Sequence, residues 1–323
     1  MALPAAVAMA TTTALSAALW WYHYPELALQ YIQHLGLYLA GMRVKNVRVR
    51  GLNICYAEKG QRSADSPSML FVHGFSVNKE MWLPIIPLLP RNQHIVMLDL
   101  PGHGASDIPD DDMNIHISGM AEFVHEFVET IALNEQPFHI IGLSMGGAIV
   151  GLYSALYPKD IAILTTCCPA ILTPEESPFV KQVREGNNGA LLPKNVEDAS
   201  KMFSMCCYRP WGIPRNSLIL AVFMAARRRR QEFFTKLFTI ITSEMDETSN
   251  ELMQHVKEIQ AECQVIWGVQ DQILNVSGAE YLRNEIATCN RVDILEDCGH
   301  VIPIDRPFKM AQLLLEFRRE AKI

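Results

Sequence analysis

Short, nearly uninterrupted apolar runs recur along the chain, at residues 69–72, 94–98, 139–141, 161–165, 265–267 and 292–295. Stretches of helical spacing separate most of them, as in Met120, Phe123, Val124, Phe127, Val128 and Ile131. Runs this brief, lacking polar alternation, suit strands covered on both faces, and their alternation with helices predicts a parallel sheet between two helical layers. Residues 43–50 and 53–57, joined at Gly51, read as a leading antiparallel hairpin. The pattern predicts an α/β fold with a mostly parallel, eight-stranded sheet flanked by helices.

The alternation stops from about residue 170 to residue 262, where helical patterns dominate. Phe234, Leu237, Phe238 and Ile241 form one apolar helical face, and residues 217–226 are a second apolar stretch. An inserted helical cap over 170–262 follows, dividing a core of 43–169 and 263–323. Arg227, Arg228, Arg229 and Arg230 spread around a helix in this cap. They read as a solvated surface, or as a lipid-touching patch where the domain is held near a membrane.

The first 42 residues form a separate unit. Residues 2–25 carry no charged side chain, and 3–24 are mainly Ala, Val, Leu, Met and aromatics, close to the roughly 20 apolar residues of a spanning helix. Trp20, Trp21, Tyr22 and Tyr24 gather at one end, where amphipathic rings settle at headgroup depth. No basic residue precedes Leu3, which favours an anchor over a cleaved signal peptide. Arg43, Lys45, Arg48 and Arg50 follow it, placing the bulk of the protein on the cytosolic side. Between anchor and core, Ala28, Tyr31, Ile32, Leu35, Leu39 and Met42 make a helical stripe. Two readings stay open for it: a helix lying along the bilayer, or one packed on the domain.

Composition narrows the function. With 49% hydrophobic and 20% charged residues in 323, the chain is not globally disordered. Lys and Arg number 28 against 35 Asp and Glu, a net charge of −7, so no chain-wide positive field attracts nucleic acid. The eight cysteines include two adjacent pairs but no C-x-x-C, which fits reduced core thiols rather than a zinc site or disulfide scaffold.

The candidate chemistry begins at Gly142-Leu143-Ser144-Met145-Gly146, set between an apolar run and a helical stretch. This is the strand-turn-helix setting of a nucleophile elbow, with Ser144 exposed on the tight turn. A serine hydroxyl needs a base. Of ten histidines, His300 alone lies in a loop directly after the final strand, at the sheet edge where α/β sites assemble. Asp271 occupies the equivalent loop after the preceding strand and is the expected orienting acid. The backbone N–H groups of Met145 and Phe75 are the expected oxyanion donors, the latter from the loop His73-Gly74-Phe75-Ser76. The stretch Asp99-Leu100-Pro101-Gly102-His103-Gly104 reads as a structural turn shaping the cleft. Phe234, Leu237, Phe238 and Ile241 are candidates for the wall of an acyl pocket. The chemistry calls for no metal or organic cofactor. The same triad and cap could serve a thioesterase or a carbon-carbon bond hydrolase, and a fold of this kind can also serve as a non-catalytic receptor or scaffold.

With the elbow, His73-Gly74, the 99–104 loop, Gly268-Val269-Gln270-Asp271 and Gly299-His300 in one order, the chain resembles the α/β-hydrolase superfamily from about residue 43 onward. Among its members it is most similar to the membrane-anchored monoacylglycerol lipases, on residues 69–82, 136–158 and 267–279 and the uncharged leader. The cap matches least well. The resemblance implies a serine hydrolase acting on lipid esters at a bilayer: monoacylglycerols including 2-arachidonoylglycerol, with lysophospholipids or bis(monoacylglycero)phosphate as further substrates. It also implies a cytosol-facing place on intracellular membranes, late endosomes and lysosomes among them.

Overall fold

The structure is a computed structural model that describes residues 25–208, 218–243 and 250–321. The expected anchor at 3–24 lies outside these residues. Among the described residues, no helix is long and apolar enough to cross a membrane.

In chain order, α1 (Pro25–Leu39) precedes the hairpin of β1 (Arg43–Val49) and β2 (Leu52–Lys59), then β3 (Met69–Val72), β4 (Ile95–Leu98), α2 (Ile117–Thr130), β5 (Phe138–Leu143), α3 (Met145–Leu156) and β6 (Ile161–Cys167). Next come α4 (Pro178–Arg184), α5 (Val196–Cys206), α6 (Leu218–Arg228), α7 (Gln231–Ser243) and α8 (Glu251–His255). The chain closes with β7 (Glu262–Gly268), α9 (Ser277–Glu285), β8 (Cys289–Leu295), α10 (Ile302–Asp305) and α11 (Pro307–Glu320). Between β6 and β7 the described residues hold helices and turns only.

One eight-stranded sheet runs in the order β1-β2-β4-β3-β5-β6-β7-β8. The β1–β2 and β2–β4 pairs are antiparallel and the others parallel. The hairpin closes at Arg50 and Gly51, whose φ values of 49° and 81° are of the positive sign that a tight hairpin turn asks of both central residues. Every residue of β3, β4 and β5 is buried, as their apolar runs require. The helical stripe of α2 is likewise buried at Met120, Phe123, Val124, Phe127 and Val128.

Several strands extend past their apolar runs. β7 begins at Glu262 and contains Gln264, which is fully buried. Its amide donates to Asp293 Oδ2 at 2.7 Å and its carbonyl accepts from Thr165 Oγ1 at 3.0 Å, so a polar side chain is satisfied inside the sheet.

The strand order reverses beside β3: the chain leaves β3 for β4 on one side, whereas β5 leads to β6 on the other. Such a reversal opens a crevice at the carboxyl ends of the two strands. The loop after β3 and the turn after β5 both lie there.

One expectation is sharpened and one changes. α1 touches α6 and β1, with Leu37 fully buried, yet most of the predicted stripe faces outward: Tyr31, Ile32, Leu35 and Leu39 are 66%, 46%, 45% and 75% exposed. The helix is thus packed on the domain through a different face, where a Cβ on Gly36 would lie only 3.2 Å from Leu83. The arginine run is not uniformly solvated either. Arg228 and Arg229 are exposed, but Arg227 is buried, because its position on α6 turns it toward the core loops.

Candidate active site

β5 ends one residue before Ser144, and α3 begins one residue after it. Ser144 takes φ 59° and ψ −122°, a left-handed conformation that a side chain tolerates only under constraint. The constraint is visible: its N–H donates to Cys167 O at 2.9 Å, and its carbonyl accepts from Ala148 and Ala170 N–H, each at 3.0 Å. A Cβ on Gly146 would sit 2.3 Å from His73 O, so only glycine lets α3 pass so near the loop after β3. Met145 is buried as the first residue of α3. Its amide belongs to the helix's first turn, where N–H groups lack intrahelical acceptors and the dipole is positive.

The loop after β3 presses on the same turn. A Cβ on Gly74 would meet both Leu143 O and Ser144 Cβ at 3.2 Å. Phe75 follows it, its ring 5.8 Å from those of Phe234 and Phe238 on α7. Of the proposed pocket wall, Phe234, Leu237, Phe238 and Ile241 are all buried, and two of the four touch Phe75.

His300 and Asp271 come together from loops 29 residues apart: Nδ1 of the imidazole lies 2.8 Å from Asp271 Oδ2, both groups buried. With its second oxygen Asp271 accepts the N–H groups of Ile273 and Leu274 at 2.8 and 2.9 Å. Its carboxylate is therefore fixed by its own turn before it meets the histidine. The acid and histidine loops are laced to each other, Gln270 N–H to Cys298 O and Cys298 N–H to Gln270 Oε1, both at 2.9 Å. A Cβ on Gly268 would be 2.4 Å from Cys298 O and from Gly299 O, which reserves that position for glycine. Asp305 Oδ2 accepts Gly299 N–H at 2.8 Å.

Cys168 joins the two halves of the site. Its thiol donates to His300 O at 3.3 Å and also lies against the Ser144 backbone. Burial raises its pKa well above the ordinary thiol range, with the nearby Asp271 charge adding to the effect. The thiol stays protonated and acts as a spacer. Cys168, Asp271 and His300 bring potential ligand atoms within 4.8 Å of one another, but the Asp271 and His300 atoms already bond to each other and a neutral thiol is a weak ligand.

Other polar groups near the crevice are structural. His73 and His103 are fully buried, and desolvation holds both below the usual histidine range. His73 Nε2 accepts Leu100 N–H at 3.1 Å, and His103 Nδ1 pairs with Pro101 O at 2.9 Å. Buried Asp99 accepts from Lys79 Nζ, Lys79 N–H and Ala105 N–H, each within 2.9 Å. Asp297 turns away from His300 to pair with Arg306 at 3.0 Å.

The sequence alone does not point to Cys168, Gln270 or Asp305 as parts of the site. Gly299-His300 and Gly268 hinted at two closely spaced loops, but nothing in the sequence specified the lacing between them.

Comparisons with known proteins agree with this architecture. Residues 67–203 match the alpha/beta hydrolase fold family. The chain is 39% identical to the human monoacylglycerol lipase ABHD6 over 285 residues, covering 86% of this chain and 82% of that protein. It is 29% identical to Lipase 1 of Psychrobacter immobilis, covering 83% and 81%. Among solved structures, a bacterial membrane phospholipase A, described as a virulence factor, superposes with a TM-score of 0.78 at 27% identity over 99% of both chains. On sequence and fold together, this chain belongs to the α/β-hydrolase family.

Proposed function

We propose that the protein is a membrane-associated serine hydrolase that cleaves single-chain lipid esters, monoacylglycerols foremost, to fatty acid and glycerol. The observation that carries this reading is the His300–Asp271 pair at 2.8 Å, on loops that Cys168 ties to the strained turn holding Ser144. His300 takes the proton of Ser144 as the hydroxyl attacks the ester carbonyl, and Asp271 accepts Nδ1–H and so sets the imidazole tautomer. The N–H groups of Phe75 and Met145 hold the oxyanion. His300 then protonates the departing glycerol oxygen, and water releases the acyl group from Ser144 by the reverse sequence.

The substrate class is supported by the relatives named monoacylglycerol lipase, at 38–39% identity. The phospholipase A likeness makes lysophospholipids and bis(monoacylglycero)phosphate the next substrates to test. Residues 170–262 serve as a cap, with Phe234, Leu237, Phe238 and Ile241 against the acyl chain. Membrane attachment rests on the uncharged 3–24 segment and the outward apolar row of α1, with the catalytic domain facing the cytosol on late endosomal or lysosomal membranes.

The decisive experiment profiles detergent-solubilised enzyme on matched monoacyl, diacyl and lysophospholipid esters and an acyl thioester, beside Ser144→Ala. Fastest turnover is expected on monoacylglycerol, with a loss of at least about 10⁴-fold in the alanine variant. Native-rate hydrolysis by that variant would sink the assignment, a thioester preference would redirect it, and silence toward a fluorophosphonate probe would point to a non-catalytic scaffold.

A further inference from the structure

Arg227 lies on α6, between β6 and β7, and is only 3% exposed. Its Nη1 donates to Ser76 O at 3.0 Å and to Ser76 Oγ at 2.6 Å, and its Nη2 to Leu191 O at 3.1 Å. The Phe223 and Phe234 rings lie 5.1 and 5.0 Å from its guanidinium carbon, within cation–π range. Its Nε has no hydrogen-bond partner, and among the described residues no carboxylate forms an ion pair with it. Burial brings its pKa down to about 10, so it remains charged at neutral pH.

Stability alone gives little reason for a cation here. An apolar side chain of similar reach could fill the space between the two rings without the cost of desolvating a charge. What the guanidinium adds is a grip on one residue. Ser76 has φ 57°, a conformation that needs external support, and two of the three hydrogen bonds that the Arg227 guanidinium donates end on it. Ser76 directly follows Phe75, in the loop that lies against Ser144.

We propose that Arg227 is a positioning residue of the oxyanion hole: from α6 it locks Ser76, and through it aims the Phe75 N–H at the substrate carbonyl. Seating α6 on the core and completing the hole are then one event. The inference deepens the serine-hydrolase reading and rests on it. The buried positive charge also favours the negative oxygen that develops in the transition state, as fixed charges in a low-dielectric site do.

The test compares full-length wild type, Arg227→Met and Arg227→Lys on p-nitrophenyl butyrate, a short soluble ester. A misaimed donor matters in the transition state far more than in the ground state. The kcat of Arg227→Met should therefore fall about 10- to 100-fold with KM within about threefold of wild type. Fluorophosphonate labelling should slow in parallel, because the phosphonyl oxygen uses the same donors. Arg227→Lys, keeping the charge and one reaching donor, should recover part of the loss. Wild-type kcat in folded Arg227→Met, or a raised KM with kcat intact, overturns the proposal. If the methionine variant does not fold, Arg227→Lys decides: a lowered kcat at unchanged KM supports the inference, and a wild-type kcat overturns it. The parent reading is checked separately by Ser144→Ala and by probe reactivity of the wild type. If wild type reacts and both Arg227 variants match it, only this inference falls.

Discussion

Asp271 divides its carboxylate between two tasks: one oxygen holds the 271–274 turn and the other faces His300. Asp271→Asn should keep the turn, through the amide oxygen, while presenting an N–H to Nδ1 and reversing the imidazole tautomer. A kcat loss of about 10⁴-fold with a nearly unchanged melting temperature is expected, measured by steady-state kinetics and calorimetry. A second carboxylate carries a pH dependence. Glu58 on β2 bonds His94 at 2.9 Å and also pairs with Lys45, which holds its pKa down to about 2. A carboxylate lowered in the folded state stabilises above its unfolded pKa, and that contribution fades as pH falls toward the folded one. Glu58→Gln should therefore flatten the decline in stability between about pH 5 and pH 3, read from urea midpoints. The placement of Ser144, Asp271 and His300 in loops at the strand ends was legible in the sequence because each follows a strand in a loop of fitting composition. The contacts of Cys168, Gln270, Asp305 and Arg227 were not, since they depend on approach across the fold: Arg227 and Ser76 are 151 residues apart.

At the scale of elements, the segment between β6 and β7 is tied to every loop of the site. Ser177, the N-cap of α4, donates to Ile273 O at 2.6 Å, and Phe179 N–H donates to Gln272 O, both on the acid loop. At the end of α5 and just past it, Cys206 O accepts Val301 N–H, and Tyr208 N–H donates to Asp305, at the histidine loop. α6 reaches the loop after β3 through the hydrogen bonds of Arg227 to Ser76. Ser177→Ala removes a helix cap and a buried hydrogen bond together. About 2 kcal/mol of stability should be lost, with faster amide exchange in α4 and the 271–274 turn than elsewhere. Strands β3 to β5 were readable because burial on both faces leaves an unmixed apolar run. The ends of β7 and β8 were not, because polar residues there are satisfied by neighbours the sequence does not name. The helical spacing of residues 28–42 located α1 but left its orientation open, since Leu37 and Gly36 carry a weaker signal than the larger side chains facing out.

For the molecule as a whole, the reversal of strand order beside β3 sets where chemistry can occur, and the hairpin-plus-parallel pattern was enough to anticipate the sheet. The outward row of α1 belongs to this scale, because it changes how the protein meets its surroundings rather than how it folds. Replacing Tyr31, Leu35 and Leu39 together with Ser should shift stability by no more than about 0.5 kcal/mol per site. Turnover of monoacylglycerol in vesicles, relative to a short soluble ester, should drop by about tenfold or more through the lost apolar contact. An unchanged ratio would remove α1 from the membrane contact.

α1 rests beside α6, the helix that carries Arg227. An enzyme mounted by that side would encounter its substrate as a mole fraction in a plane, not as a molarity in solution. Diluting the lipid with an inert amphiphile, at constant bulk concentration, should then slow the reaction.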